Sequence, residues 1–434
     1  GLAEAYERAL AHDPAFQAAR AEREAGQENA VIARAALLPQ LSLSWQRAPR
    51  NLQNVRYAAD SGGSEVDRRY ASYAASLTLT QTLFDAAAWT RWRQGRAQAL
   101  LADERWREQA ADLLLRLARA YTGALFAREQ VALAQAQRTA YVQQLELNRQ
   151  AWRHGEGTRT DLAETEASLA QAEVQLIEAQ DAADIAQRAL QAVTGAQPGE
   201  LAVLDGLRAD FAAALAPGLQ VAEGYAHWEA LARASNAELA ALRQSLEVAR
   251  LEVQRQQAGH LPTLKAYAQH ARNASDVAST YNQRYRTSSV GLMLNVPLYA
   301  GGGVAAATRQ AARELDGAQY ALEARRDEIL LDLRRQYRQA ESGPQRIAAG
   351  LRAVRAAEVA LQGSERGVTA GERINLDVLE ATRRLYAARR DLAQACYDML
   401  DARLALRWRA GVLSAADLNE TAAYFQPVGG LAAP

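Results

Sequence analysis

Two carboxylates near the end of the chain have the type and spacing for a charged site. Asp377 and Glu380 stand three residues apart in segment 371–385, GERINLDVLEATRRL, shortly after Gly371. On a helix this spacing puts both side chains on one face. Such a pair attracts cations, or it is a solvated helix start whose carboxylates only offset the helix dipole. For an isolated helix start the second interpretation is the default, so the rest of the chain must decide.

A second segment repeats the pattern earlier in the chain. Residues 155–169, GEGTRTDLAETEASL, place Gly155, Asp161 and Glu164 at the same relative positions. Each segment begins a helix with one apolar residue every seven: Leu162, Leu169, Leu176, Ala183 and Leu190, then Val378, Leu385, Leu392, Met399 and Leu406. A companion seam three positions later is mostly alanine, and it begins at Thr165 in the first helix. This strict repeat predicts left-handed coiled coils.

Composition excludes several classes of function. Lysine plus arginine and aspartate plus glutamate are equal at 50 each, so no basic field exists to hold nucleic acid. Cys396 is the only cysteine, which excludes a disulfide framework and a multi-thiolate metal site. The histidines lack metal-ligand spacing, and no nucleophile or phosphate-binding motif occurs. We therefore predict no enzyme, no catalytic residue, no metal and no cofactor, and an inert thiol at Cys396.

No transmembrane helix is predicted, because the chain has no run of about 18 apolar residues. The sequence starts at Gly1 in an amphipathic segment, and neither a secretory signal nor a lipidation cysteine is visible there. A processed N-terminus would look the same. Membrane β-strands remain as the one route to a membrane, since each such strand has only a weak signal.

The order of predicted elements occurs twice, which indicates an internal duplication. The first repeat, 1–194, has helices at 2–37, 86–152 and 158–194 and alternating strands at about 40–49 and 70–84, with a polar loop at 60–64 between them. The second repeat, 221–410, has helices at 221–259, 301–370 and 374–410, the middle one interrupted near 342–344, and strands at about 263–272 and 285–299. Segment 195–218 is less regular.

Four strands of membrane-spanning length cannot close a barrel alone, and open sheet edges are not tolerated in lipid. Several chains must therefore contribute strands to one shared barrel. Two chains give eight strands, whose interior is usually filled, and three give twelve with a lumen. Helices of about 100 Å favour three, because a conduit must continue from the barrel. Aromatic residues near strand ends fit either a membrane girdle or the core of a soluble sandwich: Trp45, Tyr73, Phe84, Trp89, Trp92 and Tyr299.

With this duplication the chain resembles the TolC family of outer-membrane channel-tunnels over nearly its whole length. The resemblance rests on Ala11–Pro14, the Leu-Pro pairs at 38–39 and 261–262, the strand ends 80–85 and 295–299, and the two tips, Gly155–Asp161 and Gly371–Asp377. Within the family the chain is most similar to the channel of the adenylate cyclase toxin type I secretion system.

The resemblance implies a mainly α fold with membrane β: a homotrimer with a 12-strand barrel in outer-membrane lipid and a helical coiled-coil tunnel in the periplasm. It also implies a small mixed equatorial region, to which segments 195–220 and 411–434 correspond. It implies an export duct with three kinds of partner: a periplasmic adaptor, an inner-membrane ABC transporter or other pump, and a secreted protein cargo. Multidrug efflux is the alternative. A soluble coiled-coil scaffold is the remoter one, since it leaves the paired strands unexplained.

The resemblance also assigns roles at the tip turns of Gly155 and Gly371. Asp377 and Glu380 correspond to an acidic ring around the closed tip. Arg373 corresponds to a tip-locking arginine, with Thr160 and Asp161 as its partners. A further locking arginine of some members corresponds to Cys396 here, so that constraint is absent or differently made.

Overall fold

The fold comes from a computed structural model that describes residues 1–56, 65–196, 201, 203–204, 224–276 and 280–426. The first half contains helices α1 (Leu2–His12) and α2 (Pro14–Ala35), strands β1 (Gln40–Arg56) and β2 (Glu65–Phe84), and helices α3 (Ala86–Arg153) and α4 (Arg159–Thr194). A short strand β3 (Val203–Leu204) follows.

The second half repeats this order and confirms the predicted duplication. It contains helices α5 (Tyr225–Ser235) and α6 (Ala237–Gln257), strands β4 (Thr263–Asp276) and β5 (Thr280–Asn295), and helices α7 (Gly303–Thr369) and α8 (Asn375–Arg409). A short 3₁₀ turn, Ala258–His260, precedes β4, and helix α9 (Ala415–Ala422) and strand β6 (Phe425–Gln426) end the described chain. No described helix is apolar enough over a sufficient length to cross a membrane.

The predictions of one continuous helix over 2–37 and one over 221–259 were wrong, because each segment contains two helices. The first breaks at Asp13, whose carboxylate accepts the Phe16 N–H at 2.7 Å and so caps α2. The second breaks at Asn236, which caps α6 by accepting the Leu239 N–H at 2.9 Å. Side chains that bond the backbone locally compete with a continuous helix.

The cap at Asp13 is also a buried ion pair. Two guanidinium nitrogens of Arg116 donate to its carboxylate at 3.0 and 3.1 Å, and a third donates to Asp112 at 2.7 Å. Burial opposes ionisation of Asp13, but the hydrogen bonds from Arg116 and from the Phe16 N–H lower its pKa overall. This contact gives the Asp13–Pro14 motif a structural role.

The predicted interruption near 342–344 is also absent, because α7 continues through Pro344. Tertiary packing outweighs the hydrogen bond that proline removes. A Cβ at Gly343 would lie 2.7 Å from Cγ of Met399, and one at Gly350 would lie 3.1 Å from Cδ1 of Leu392. Glycines seven residues apart on α7 thus receive the large seam residues of α8.

The five seam positions predicted for α8, from Val378 to Leu406, are all at most 5% exposed. In α4, Thr165, Ala172 and Leu190 of the predicted seams are equally buried. The seven-residue pattern therefore identified the buried face of both helices.

The chain divides into two compact units. One comprises Gly1–Glu22, Glu104–Ala240 and Glu323–Pro434, and contains the largest apolar cluster, in which the rings of Tyr121 and Phe425 lie 5.5 Å apart. Its short strands β3 and β6 pair there, within the predicted equatorial segments. Most of 195–220, and 427–434, lie outside the described residues.

The other unit, Arg23–Asp103 and Ala241–Leu322, contains an antiparallel sheet of order β1-β2-β4-β5. The central β2–β4 pairing joins the two repeats, and Leu79 stands opposite Ala268. The four strands are longer than the alternating segments from which they were predicted. Residues 57–64, which include the predicted loop at 60–64, and residues 277–279 lie outside the described residues. Strand β5 ends at Asn295 rather than 299, close to Pro297, which has no N–H to donate.

One face of the sheet is apolar across all four strands in the row Leu41, Leu79, Ala268 and Val290, and the next row adds His270 and Ser288 to Leu43 and Leu77. Register places Leu43 opposite Leu77 and, at the other edge, Ala266 opposite Leu292 on that face. Leu43 is 72% exposed and Val290 is 86% exposed. The opposite face carries serine and threonine, such as Ser42 and Thr78, so the predicted alternation is confirmed with its apolar side outward.

Candidate functional site

Both acidic helix starts follow the same tight turn. Gly155 and Gly371 have φ of +80° and +75°, in the left-handed region that glycine tolerates. Each glycine N–H donates to the carbonyl three residues before it, at 3.1 Å for Gly155 and 3.0 Å for Gly371. The next N–H, of Glu156 or Glu372, donates five residues back at 2.9 or 2.8 Å. Two Schellman motifs therefore end α3 and α7.

Asp161 is fixed by the N-terminus of its own helix. Its carboxylate accepts the Thr158 N–H at 3.0 Å and the Thr158 hydroxyl at 2.6 Å. The Asp161 N–H donates back to the Thr158 hydroxyl at 3.1 Å. This is a capping box with aspartate in the third position. Thr160 lies beside it and is exposed.

Asp377 and Glu380 have different surroundings, although both are half-buried. Asp377 occupies the position of Asp161 in α8, but Ile374 has no side-chain acceptor. Only half of the capping arrangement therefore forms, with the Ile374 N–H donating to the Asp377 carboxylate at 3.3 Å. Glu380 forms an ion pair with Arg383 at 2.7 Å and lies 3.8 Å from Arg384. Part of the Glu380 charge is thus offset within the chain.

Arg373 lies back along the end of α7. Its Nη1 donates to the hydroxyl of buried Ser364 at 3.0 Å. A Cβ at Gly367 would lie 2.9 Å from Cγ and Cδ of Arg373, so the absence of a side chain there makes room for the arginine stem. Within the described residues of this single chain, the predicted partners Thr160 and Asp161 are not brought to the Arg373 guanidinium.

A buried polar network joins the two helix starts instead. The Asn375 amide donates to Thr165 Oγ1 at 3.0 Å and lies 3.4 Å from the Asp161 carbonyl oxygen. From α3, Gln144 donates to Asn375 Oδ1 at 3.0 Å and Asn148 donates to Thr165 Oγ1 at 2.7 Å. Thr165 donates to the Asp161 carbonyl at 2.7 Å. Helices α3, α4 and α8 are therefore joined by side-chain hydrogen bonds at this end.

Our sequence interpretation missed this network, although one signal was present. Thr165 is a polar residue at the head of a seam that is otherwise mostly alanine, and it is fully buried. A buried hydroxyl requires partners, which three helices supply here. Asn375 gave no comparable signal, because an asparagine at a helix start is usually read as a local cap.

Cys396 of α8 is fully buried in the largest apolar cluster, as expected for an inert thiol. Burial, with the nearby Glu129 carboxylate, raises its pKa to about 12. The thiolate that reactions and metals require is therefore disfavoured. Among the described residues, no group of three or more His, Cys, Asp or Glu is placed to hold a metal ion.

Asp401, one turn further along α8, makes the stability of the fold depend on pH. Burial raises its pKa to about 6, against the hydrogen bond that Thr122 donates at 3.0 Å and the charge of Arg119. Because the folded state binds this proton more tightly than the unfolded state does, protonated Asp401 contributes to the free energy of unfolding in acid. That contribution is lost as the pH rises through 6. We expect Asp401→Asn, which keeps the acceptor for Thr122 but cannot ionise, to increase the free energy of unfolding at pH 8 by up to about 3 kcal/mol.

At pH 3, below the ordinary pKa of an aspartate, the variant and the parent should unfold at the same denaturant concentration. Guanidinium titrations at both pH values, followed by helical circular dichroism, measure the difference. Asp391→Asn is the control, since Asp391 is exposed on the same helix and pairs with Arg390 at 3.2 Å. An equal gain at both pH values would show that ionisation of Asp401 is not responsible.

The architecture defines a class of protein: paired repeats of long antiparallel helices combined with a four-stranded sheet that exposes its apolar face. The crystal structure of CusC has the same fold, with a TM-score of 0.79 at 16% identity over 94% of this chain and 92% of that one.

The chain belongs to the outer membrane efflux protein family, whose profile matches residues 5–196 and 228–412. It is 44% identical to the alkaline protease secretion protein AprF of Pseudomonas aeruginosa, over 98% of this chain and 87% of the relative. It is 40% identical to the proteases secretion protein PrtF of Dickeya chrysanthemi, over 98% and 91%. The predicted TolC-type family and outer-membrane location are confirmed. Protein CyaE of Bordetella pertussis is 28% identical over 306 residues. Within the family the chain is therefore more similar to the two protease secretion proteins than to CyaE.

Proposed function

We propose that three copies of this chain form a duct that exports a protein across the periplasm and the outer membrane. The exposed apolar face of the four-stranded sheet carries the proposal. A row of largely exposed apolar side chains that crosses all four strands marks an interaction site, and lipid satisfies it. The two edge strands β1 and β5 need partners in lipid, which neighbouring copies provide by closing a 12-strand barrel.

The similarity to two protease secretion proteins favours a secreted protein as cargo. An inner-membrane ABC transporter and a periplasmic adaptor would deliver it to the duct, and the duct itself would catalyse no reaction. The family description, outer membrane efflux protein, supports efflux in general, and multidrug efflux is the alternative function. The transporter that co-purifies with the chain after cross-linking in cells distinguishes the two, because a drug pump and a protein-exporting ABC transporter differ in their subunits.

The two acidic helix starts form the gate of the proposed duct. In a trimer Asp377 and Glu380 would give a ring of six carboxylates, two from each chain. Such a ring attracts cations and repels anions. The closed tip would be locked when Arg373 of one chain reaches Thr160 and Asp161 of a neighbour. The single bond to Ser364 leaves most of the five guanidinium N–H donors for that contact.

The lock predicts the behaviour of Arg373→Ser. Loss of the guanidinium removes a charge-assisted contact across the tip, so single-channel conductance in planar bilayers should rise at least about twofold. Arg366→Ser, which removes another arginine from the end of α7, is the matched control and should leave conductance unchanged. Equal conductance in Arg373→Ser and the parent would place the lock elsewhere.

Purification tests the duct itself. The chain should require detergent, should have the mass of a trimer by light scattering, and should form conducting pores in planar bilayers. A chain that stays in the soluble fraction and forms no pores would instead support the coiled-coil scaffold.

A further inference from the structure

The polar network at the helix starts is a joint between two segments that are distant in the sequence. We call it the tip clasp: Asn375 of α8, Thr165 and the Asp161 carbonyl of α4, and Gln144 and Asn148 of α3. Asn375 is 7% exposed and Thr165 is 0% exposed. The Asn375 amide is satisfied on both sides, since its nitrogen donates to Thr165 and its oxygen accepts from Gln144.

Apolar contacts continue the joint one turn further along the helices. Tyr141, Ala172 and Leu379 form a buried cluster with Leu169, and the Tyr141 hydroxyl donates to the Leu379 carbonyl at 3.4 Å. Leu379 lies between the two acids of the proposed gate. The helix start that carries these acids is therefore held against α3 and α4 of its own chain.

Separating α8 from α4 would break the hydrogen bonds from Asn375 to Thr165 and to the Asp161 carbonyl. A buried amide that loses its partners without reaching water is strongly disfavoured, and a fully satisfied network resists the loss of one member. The clasp therefore resists movement of Asp377 and Glu380 away from Asp161, independently of any contact between chains.

We propose that Asn375 is a positioning residue of the gate, which holds the start of α8 in the resting position through Thr165 and must release it when the tip opens. The proposal rests on the proposed function in assigning the acids to a gate. The clasp itself is a property of the single chain and can be tested without that assignment.

The first experiment compares Asn375→Ala with Asn236→Ala in the full chain in detergent. Asn236 is the matched control, because it is 5% exposed and its amide donates to the Arg409 carbonyl at 2.9 Å, away from the helix starts. In Asn375→Ala, amide hydrogen exchange over residues 372–382 should accelerate at least about tenfold, and single-channel conductance should rise. Asn236→Ala should change neither. Unchanged exchange in Asn375→Ala would overturn the clasp.

A second variant controls for misfolding of the alanine variant. It carries Thr165→Cys and Asn375→Cys, at positions whose native side chains meet at 3.0 Å, together with Cys396→Ser. Oxidation should form a disulfide, hold conductance at its resting value and slow exchange over 372–382, and reduction should reverse both effects. If the pair cross-links and the oxidised channel opens as readily as the reduced one, α8 need not leave α4 and the role in gating is overturned.

The two proposals fail in different ways. If the parent chain forms no pore, the proposed function fails, and the exchange rates alone still support or overturn the clasp. If the parent forms pores and Asn375→Ala accelerates exchange without changing conductance, the clasp exists but is not part of the gate, and the inference is wrong.

Discussion

Gly411→Ala is expected to destabilise the protein by more than about 4 kcal/mol, which is exceptional for a single methyl group. Gly411 has φ of +75° at the turn after α8. A Cβ there would lie 2.5 Å from the carbonyl carbon of Ser235 and 2.6 Å from the nitrogen of Asn236, and it would also contact the Ser235 carbonyl oxygen. These are backbone atoms of the α5–α6 junction, so no rotamer change can relieve the clash.

The junction cannot move away easily, because Asn236 both caps α6 and donates to the Arg409 carbonyl. Gly371→Ala is the matched control: it has the same φ of +75° and no neighbouring atom within 4 Å of its Cβ position. Its cost should be the conformational one alone, about 1–2 kcal/mol. Guanidinium unfolding of both variants measures the difference. Equal losses would show that backbone conformation, and not the close approach, makes Gly411 necessary.

The second large effect is expected at the proposed acidic ring. A trivalent cation added on the periplasmic side should block the pore, and Asp377→Ala combined with Glu380→Ala should abolish the block. In the double variant the trivalent cation should bind the pore at least about a hundredfold more weakly than in the parent, which corresponds to about 2.7 kcal/mol of binding free energy. Of the single variants, Asp377→Ala should have the larger effect, because Arg383 and Arg384 already offset the charge of Glu380.

Arg383→Ala provides a control of opposite sign. Removal of this partner frees the Glu380 carboxylate, so the trivalent cation should block at a lower concentration than in the parent. Titration of the single-channel current at low ionic strength measures each variant, since salt screens the attraction. A block that persists in the double alanine variant would remove both acids from the pore.

Local rules explain why much of the architecture could be predicted from the sequence. The seven-residue repeat in α8 required only that one helix face be apolar, and all five positions are buried. Alternation along β2 required only that one sheet face be apolar, and that face proved to be the exposed one. The turns at Gly155 and Gly371 are set by their own glycines and by hydrogen bonds within a few residues.

Features of the fold that depend on residues distant in the sequence could not be predicted and are known only from the folded chain. The breaks at Asp13 and Asn236 are stabilised by Arg116 and by the Arg409 carbonyl, so neither predicted helix could be divided correctly in advance. The strands run past their alternating cores because backbone pairing with a neighbour does not require alternation. Pro344 stays within α7 because the packing of that helix on α8 outweighs one lost hydrogen bond.

The same division applies to the two acidic helix starts. The equivalent positions of Asp161 and Asp377 after equivalent turns could be predicted from the sequence, because each position is set within about ten residues of chain. The sequence did not determine the contacts between helices. Only the folded chain joins Asn375 to Thr165 and Gln144, because these contacts depend on which helices lie side by side.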